Sequence, residues 1–297
     1  MQAHKNAVKN TYSANSIREI IEVTLKENLT KAGDENFAKF QKTILEKWLP
    51  GFTYEFFSKS TASLCSEGGV LSMSAVNLNL PDEVIFSYLA NYQYDELTPL
   101  IYANPGRSLS YTHVCPQELV EQHPMFINHC YKYGIYHDTA VGFIYPGHDK
   151  TFVVFDYMGD KENAEWTSLD HTKLELCSFP FALAWLYRLG LFDESKFRSM
   201  LTTLVGFTES SLLNARKYIN APHQNLKDQA TDLGIKYGTL KDSLGSIKKE
   251  LIEKLNLDVD ASKNIPLRVL DKNLGFLEMM GDHTTPIKPP LKPPFWP

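Results

Sequence analysis

The sequence predicts an α+β fold: a small antiparallel sheet flanked by helices over the first two-thirds, then an all-helical last third. Three observations carry that expectation. Two runs rich in aromatic and β-branched residues, 139–147 and 150–158, are joined through Pro146-Gly147-His148-Asp149, a hairpin signal. Two more strand-like runs, 52–61 and 70–78, come earlier, with helical periodicity on either side. The last third carries no strand signal.

Residues 1–13 read as a polar arm. A helix is expected over 16–29, where Ile17, Ile20, Ile21 and Leu25 fall near helical spacing, and another over 35–49, stopped by Pro50-Gly51. After the first two strands, 81–92 reads as a helix with Pro81 at its start. Residues 115–135 also read as a helix, with Pro124 a possible break. The hairpin follows, and then a long helix over 162–191. A boundary is expected near 193–206, with 194–206 as a linker and 207–279 as a second domain. The tail 280–297 ends in "PIKPPLKPPFWP", which cannot be helical and is expected as polyproline II or disorder.

Composition narrows the function classes. The 297 residues suit one large domain or two ordinary ones, and 43% hydrophobic residues suffice to bury a core. A net charge of −5 excludes a basic nucleic-acid coat, so any DNA contact must come from a local patch. Cys65, Cys115, Cys130 and Cys177 form no CxxC, and the polar start lacks an apolar signal stretch. Reduced thiols in a cytoplasmic protein are expected. The longest apolar run, 177–192, contains Pro180 and Arg188 and is too short to span a membrane.

Residues 228–251, "DQATDLGIKYGTLKDSLGSIKKEL", have the layout of a helix-turn-helix. Ala230 supplies the small residue that lets two helices cross closely, and Gly234 suits the left-handed turn. Ile235 can anchor the turn. Leu240, Leu244, Ile247 and Leu251 then recur on one face of a second helix. The other face carries Lys236, Thr239, Lys241, Asp242, Ser243 and Lys248, which could meet phosphates and base edges. An ordinary helical hairpin with a solvated lysine face has the same pattern.

Helical stretches at 207–219 and 265–276 bracket the pair. Four helices in this order resemble the C-terminal domain of LuxR-type transcription regulators, matching at Ala230, Leu233, Gly234, Ile235, Thr239, Leu240, Lys241, Leu244, Ile247 and Leu255. Thr208 is present at the domain's opening, but Ser211 stands where that family has glutamate. The order of elements before the boundary is similar too, over roughly Asn36 to Phe276 in all. The resemblance implies an N-terminal autoinducer-binding α/β/α sandwich over 14–193, double-stranded DNA as a partner and a homodimer. Leu267, Leu270 and Leu274 are a candidate dimer stripe.

The family's lactone-reading pattern is altered here. With Pro99 aligned to the family's proline, Thr98 stands at the aspartate position, and Ile85 and Leu89 stand at the tryptophan and tyrosine positions. The downstream tryptophan falls near Tyr111 or His113. A slipped register offers Tyr88, Tyr92 and Asp95 instead. A site lacking the lactone-reading groups should read lactones poorly. Tyr54, Phe56, Tyr88, Tyr92, Tyr94, Tyr102 and Tyr111 could line a pocket for another small molecule, since tyrosine pairs an apolar body with a polar tip; they could equally fill a core.

Other readings stay open at this level. His113, Cys115, His123, His129, Cys130 and His137 fall close together and could serve a metal or haem sensor, although none has the usual ligand spacing. A ligand-independent dimeric regulator is a further alternative. For an enzyme there is only Asp156 in mid-strand and the Asp95-Glu96 pair, with no nucleophile or phosphate-loop motif; no catalytic residue, metal or cofactor is assigned. The proline-rich tail could dock on a protein partner.

Overall fold

The computed structural model describes residues 22, 24, 26, 33–48, 54–60, 73–77, 81–147, 152–160, 168–205, 214–215, 217–219, 223–254, 267, 277–281 and 286–289. Helix α1 (Asp34–Trp48) precedes strands β1 (Tyr54–Ser60) and β2 (Met73–Asn77). Then come α2 (Asp82–Asn91), α3 (Leu97–Ala103), β3 (Ser108–Ser110), α4 (Gln117–Val120) and α5 (Pro124–Asn128). The hairpin β4 (His137–Ile144) and β5 (Phe152–Gly159) leads to α6 (Ser168–Arg188), α7 (Glu194–Val205), α8 (Leu226–Asp232) and α9 (Tyr237–Lys254).

The five strands form one antiparallel sheet in the order β2-β1-β5-β4-β3. The register of the hairpin runs from His137↔Gly159 to Ile144↔Phe152. Side chains alternate across a strand, and in β4 and β5 both faces are buried. Val141, Phe143, Val153, Phe155 and Tyr157 enter one core with α6 and α1. Ala140, Phe152 and Val154 enter another with α2 and α3. The expected α/β/α sandwich follows from that double burial. In the first core Trp185 lies edge-on to Phe37 at 5.0 Å, and its indole N–H donates to Gln41 Oε1 at 2.7 Å.

Several expectations are corrected. The continuous helix over 115–135 is broken into α4, α5 and a short 3-10 turn, Cys130–Tyr133. Pro124 has no N–H to offer, so it opens α5 instead of continuing α4, and His123 caps it by accepting from Met125 N at 3.2 Å. The expected linker is helix α7 over 194–205, with Phe197, Met200, Leu201 and Leu204 buried. Those residues belong to the same hydrophobic cluster as the α6 and α9 residues. Helix α3 and strand β3 were not foreseen.

Of the helix expected over 16–29, residues 22, 24 and 26 are helical. Of that over 207–219, residues 214, 215 and 217–219 are helical. Leu267 is helical and buried; the rest of 265–276 and the arm 1–13 lie outside the described residues. No described helix is long and apolar enough to cross a membrane.

Candidate functional site

The core between the sheet and α2–α3 gathers polar groups. A 3-10 turn, Tyr92–Tyr94, delivers Asp95 to the mouth of α3. There Asp95 Oδ1 accepts from the amides of Leu97 and Thr98, both at 3.0 Å. A carboxylate ahead of a helix satisfies donors that have no partner within the helix. Tyr88 donates its hydroxyl to Asp95 Oδ2 at 2.7 Å, and Tyr111 donates to Oδ1 at 3.4 Å. Asp95 is itself buried. Burial, then the Asp95 charge, holds both tyrosine hydroxyls well above their usual range, so they remain donors.

Two more carboxyls come from the sheet. In the hairpin register Ala140 faces Asp156 and Asp138 faces Met158, so Asp138 and Asp156 share one sheet face as diagonal neighbours. Asp138 Oδ1 is closed off from solvent and has no hydrogen-bond partner among the described residues. Burial, then the Asp95 charge, pushes the Asp138 carboxyl up to about 8. Burial, then Asp138 and Asp95, holds Asp156 well above the usual carboxylate range. Burial thus favours the protonated form of both. A narrow pocket lined by Tyr111, Val120, Phe126, Tyr136 and Asp138 offers about 10 Å³, the room of one water.

The sequence-derived pocket residues divide. Tyr88, Thr98 and Tyr111 converge on Asp95, Thr98 through its backbone amide. Ile85 and Tyr102 pack in the same core, Tyr102 edge-on to Phe152 at 5.0 Å. Tyr54 and Phe56 pair in the ladder with Met158 and Asp156. Leu89, Tyr92, Tyr94 and His113 are corrected: all four are exposed, Leu89 and Tyr92 by about half. Leu89 lies on the outer face of α2, and Tyr92 and Tyr94 lie on the turn that carries Asp95 inward. His113 caps its own 3-10 turn, accepting from Ser110 N at 3.1 Å. The buried acid of this core is Asp95, the acid of the slipped register, and Thr98 donates its backbone amide to it. Nothing in the sequence singles out Asp138, and Asp156 shows there only as an acid in mid-strand.

The histidines and cysteines of 113–137 are spread over separate surroundings. His123 lies 3.9 Å from Glu96, and His129 Nδ1 lies 3.1 Å from Ser87 Oγ. Burial lowers His129 to about 4 and pushes the Cys130 thiol well up, which leaves a neutral imidazole and a poor thiolate former. Among the described residues no group of three or more metal-ligating side chains comes together.

The second candidate surface is the helix pair. Asn225 caps α8, accepting from the amides of Lys227 and Asp228 at 3.0 Å. The helix ends in a Schellman motif: Ile235 N donates to Ala230 O and Gly234 N to Thr231 O, each at 3.0 Å, with Gly234 at φ +65°. Ala230, Leu240, Leu244, Ile247 and Leu251 are buried. Lys236, Thr239, Lys241 and Asp242 are exposed at the start of α9. Lys248 is half-buried; with Lys241 it lines an apolar groove of about 160 Å³ formed with Tyr218, Leu226, Leu244 and Leu267.

No family model matches the sequence, and no curated protein matches it. Among solved structures the chain is similar to a crystal structure of Escherichia coli SdiA, with a TM-score of 0.44 and 12% identity over 89% of this chain and 99% of that one. It is also similar to SdiA in complex with octanoyl-rac-glycerol, with a TM-score of 0.35 and 13% identity over 90% of this chain and 91% of that one.

Proposed function

We propose that this chain is a cytoplasmic, dimeric DNA-binding transcription regulator of LuxR-like organisation, controlled by a small molecule bound in its sandwich. The observation that carries the reading is the turn at Gly234. A capped α8, a buried Ala230 at the crossing and a left-handed glycine set α9 against its partner helix, and Lys236, Thr239, Lys241 and Asp242 at its start remain exposed. A recognition helix needs this arrangement, because its first turns must reach base edges while its other face stays packed. The near balance of charge along the pair favours binding as a dimer, on half-sites about 34 Å apart.

The polar groups under α2 and α3 support a ligand site in the sandwich. A core that only had to be filled would not need three carboxyls, one with an oxygen that lacks a donor. The exposed lysines support contacts to phosphates, and the sequence read by the protein would come from Thr239 and its neighbours.

The test is selection of bound duplexes by the full-length protein from a random-sequence library. Enrichment of a two-fold symmetric site is expected. Recovery of no site, with DNA retained only at low salt and regardless of sequence, would remove the regulator reading.

A further inference from the structure

We propose that the sandwich pocket takes an amine: a small ligand whose ammonium head lies beside Asp138, with Tyr111 and Phe126 as its walls. The proposal rests on the reading of the sandwich as a ligand-binding domain and names the ligand's chemical class.

Three independent elements supply the acids: the loop before α3, strand β4 and strand β5. The acid count alone would not define a site, since buried carboxyls can satisfy one another. Asp95 is already supplied by Tyr88, Tyr111 and two amides. Asp138 is different. Its Oδ1 is sealed from solvent with no donor among the described residues, and the residue lines the narrow pocket. An unpartnered buried oxygen is costly, and a ligand donor would satisfy it.

The charge balance points the same way. Among the described residues, the charged groups that act on Asp138 and Asp156 are other carboxylates. His129, nearest in type to a counter-ion, is kept neutral by burial. An ammonium brings three N–H donors together, and its charge would draw Asp138 into the carboxylate form that burial alone disfavours. An acylated lactone has one amide N–H and no charge, so it would serve one carboxyl and leave the others as they are. The size also fits, because the room beside Asp138 holds one water-sized group. Tyr111 and Phe126 meet at 5.0 Å with perpendicular rings, and aromatic walls favour a cation. The pocket reaches solvent past Thr112, Gln117 and Tyr136, all exposed, which gives the rest of the ligand a way out.

The experiment is thermal unfolding of the full chain with n-hexylamine, hexan-1-ol and N-hexanoyl homoserine lactone, together with a native mass spectrum of protein purified from its own host. The expected result is a rise in Tm that grows with amine concentration and is absent with hexanol and with the lactone. Asp138→Asn and Asp156→Asn, which keep shape and fold, should each weaken the amine by roughly tenfold or more. An equal response to hexanol, or an amine response unchanged in both variants, overturns the proposal. A lactone response without an amine response overturns it while leaving the receptor reading intact. No response to any of the three, with no added mass on the native protein, overturns both.

Discussion

The side-chain amide of Asn104 pairs with the backbone of Lys288 in both directions: Nδ2 donates to the Lys288 carbonyl at 2.9 Å, and Oδ1 accepts from the Lys288 amide at 2.8 Å. The two residues are 184 positions apart. Asn104 also donates to Leu100 O at 2.8 Å, so it closes the end of α3 while holding the chain that returns from the helix pair. Nearby, Gly106 lies so close to that returning chain that a Cβ would fall 2.2 Å from the Met279 carbonyl oxygen. Ile287 packs against the core that contains Tyr88 and Tyr111. Helix α3 thus has Asp95 at one end and the returning chain at the other.

Asn104→Ala should therefore cost about 1–3 kcal/mol, because it leaves the Leu100 and Lys288 groups without partners. Urea unfolding measures the loss, and amide exchange should rise at Ile287 and Lys288. Asn104→Asp should be worse, since it sets a carboxylate against two carbonyl oxygens. An Asn104→Ala protein with unchanged exchange at 286–289 would show that the pairing does not hold the segment.

Gly234→Ala tests the turn between α8 and α9. Nothing lies within 4 Å of the added Cβ, so the cost is backbone strain alone. At φ +65° that strain is about 1–2 kcal/mol. Gly234→Asn should lose less, because asparagine tolerates the left-handed region. Equilibrium unfolding of both variants checks the order.

Lys241→Glu should abolish binding to the selected DNA site with the Tm unchanged, since the side chain is exposed. The milder Lys241→Ala should lower the slope of log affinity against log salt by about one per protomer. Salt titrations by gel shift give the answer. An unchanged slope would mean that Lys241 faces the neighbouring groove and not phosphate.

Stability should fall as pH rises from about 6.5 to 8. The Asp138 carboxyl has a folded value of about 8, raised from an ordinary 3.8 by burial and then by Asp95. Between those values the folded chain keeps a proton that the unfolded chain has lost, so rising pH favours unfolding. Asp156 acts in the same direction. Burial lowers His113, His123, His129 and His171, so below the ordinary histidine value of 6.5 they oppose the acids: their stabilisation is lost as pH falls. Above it the carboxyls decide the slope. Tm measured across pH 6.5–8 should fall in the native chain and flatten in Asp138→Asn.

Local features were legible in the residues. Pro146-Gly147 and its flanking alternation specify the hairpin, and Ala230, Gly234 and Leu240 specify the helix pair, because each depends on neighbours within a turn or two. That Tyr88, Thr98 and Tyr111 gather around Asp95 was legible only by residue type. Tyrosine has the same pattern whether it faces inward or outward, and Tyr92 and Tyr94 went the other way.

The carboxyl cluster was not legible, since Asp95, Asp138 and Asp156 are far apart in the chain and meet only through sheet register and the placement of α3. The same holds for the helical 194–205 segment, whose burial depends on α6 and α9, and for Asn104 with Lys288. Periodicity and turn chemistry act over a few residues and are written in order along the chain. A buried charge or a long-range pair depends on which surfaces come together, and that is settled when the sheet, its two helical layers and the returning chain close on one another.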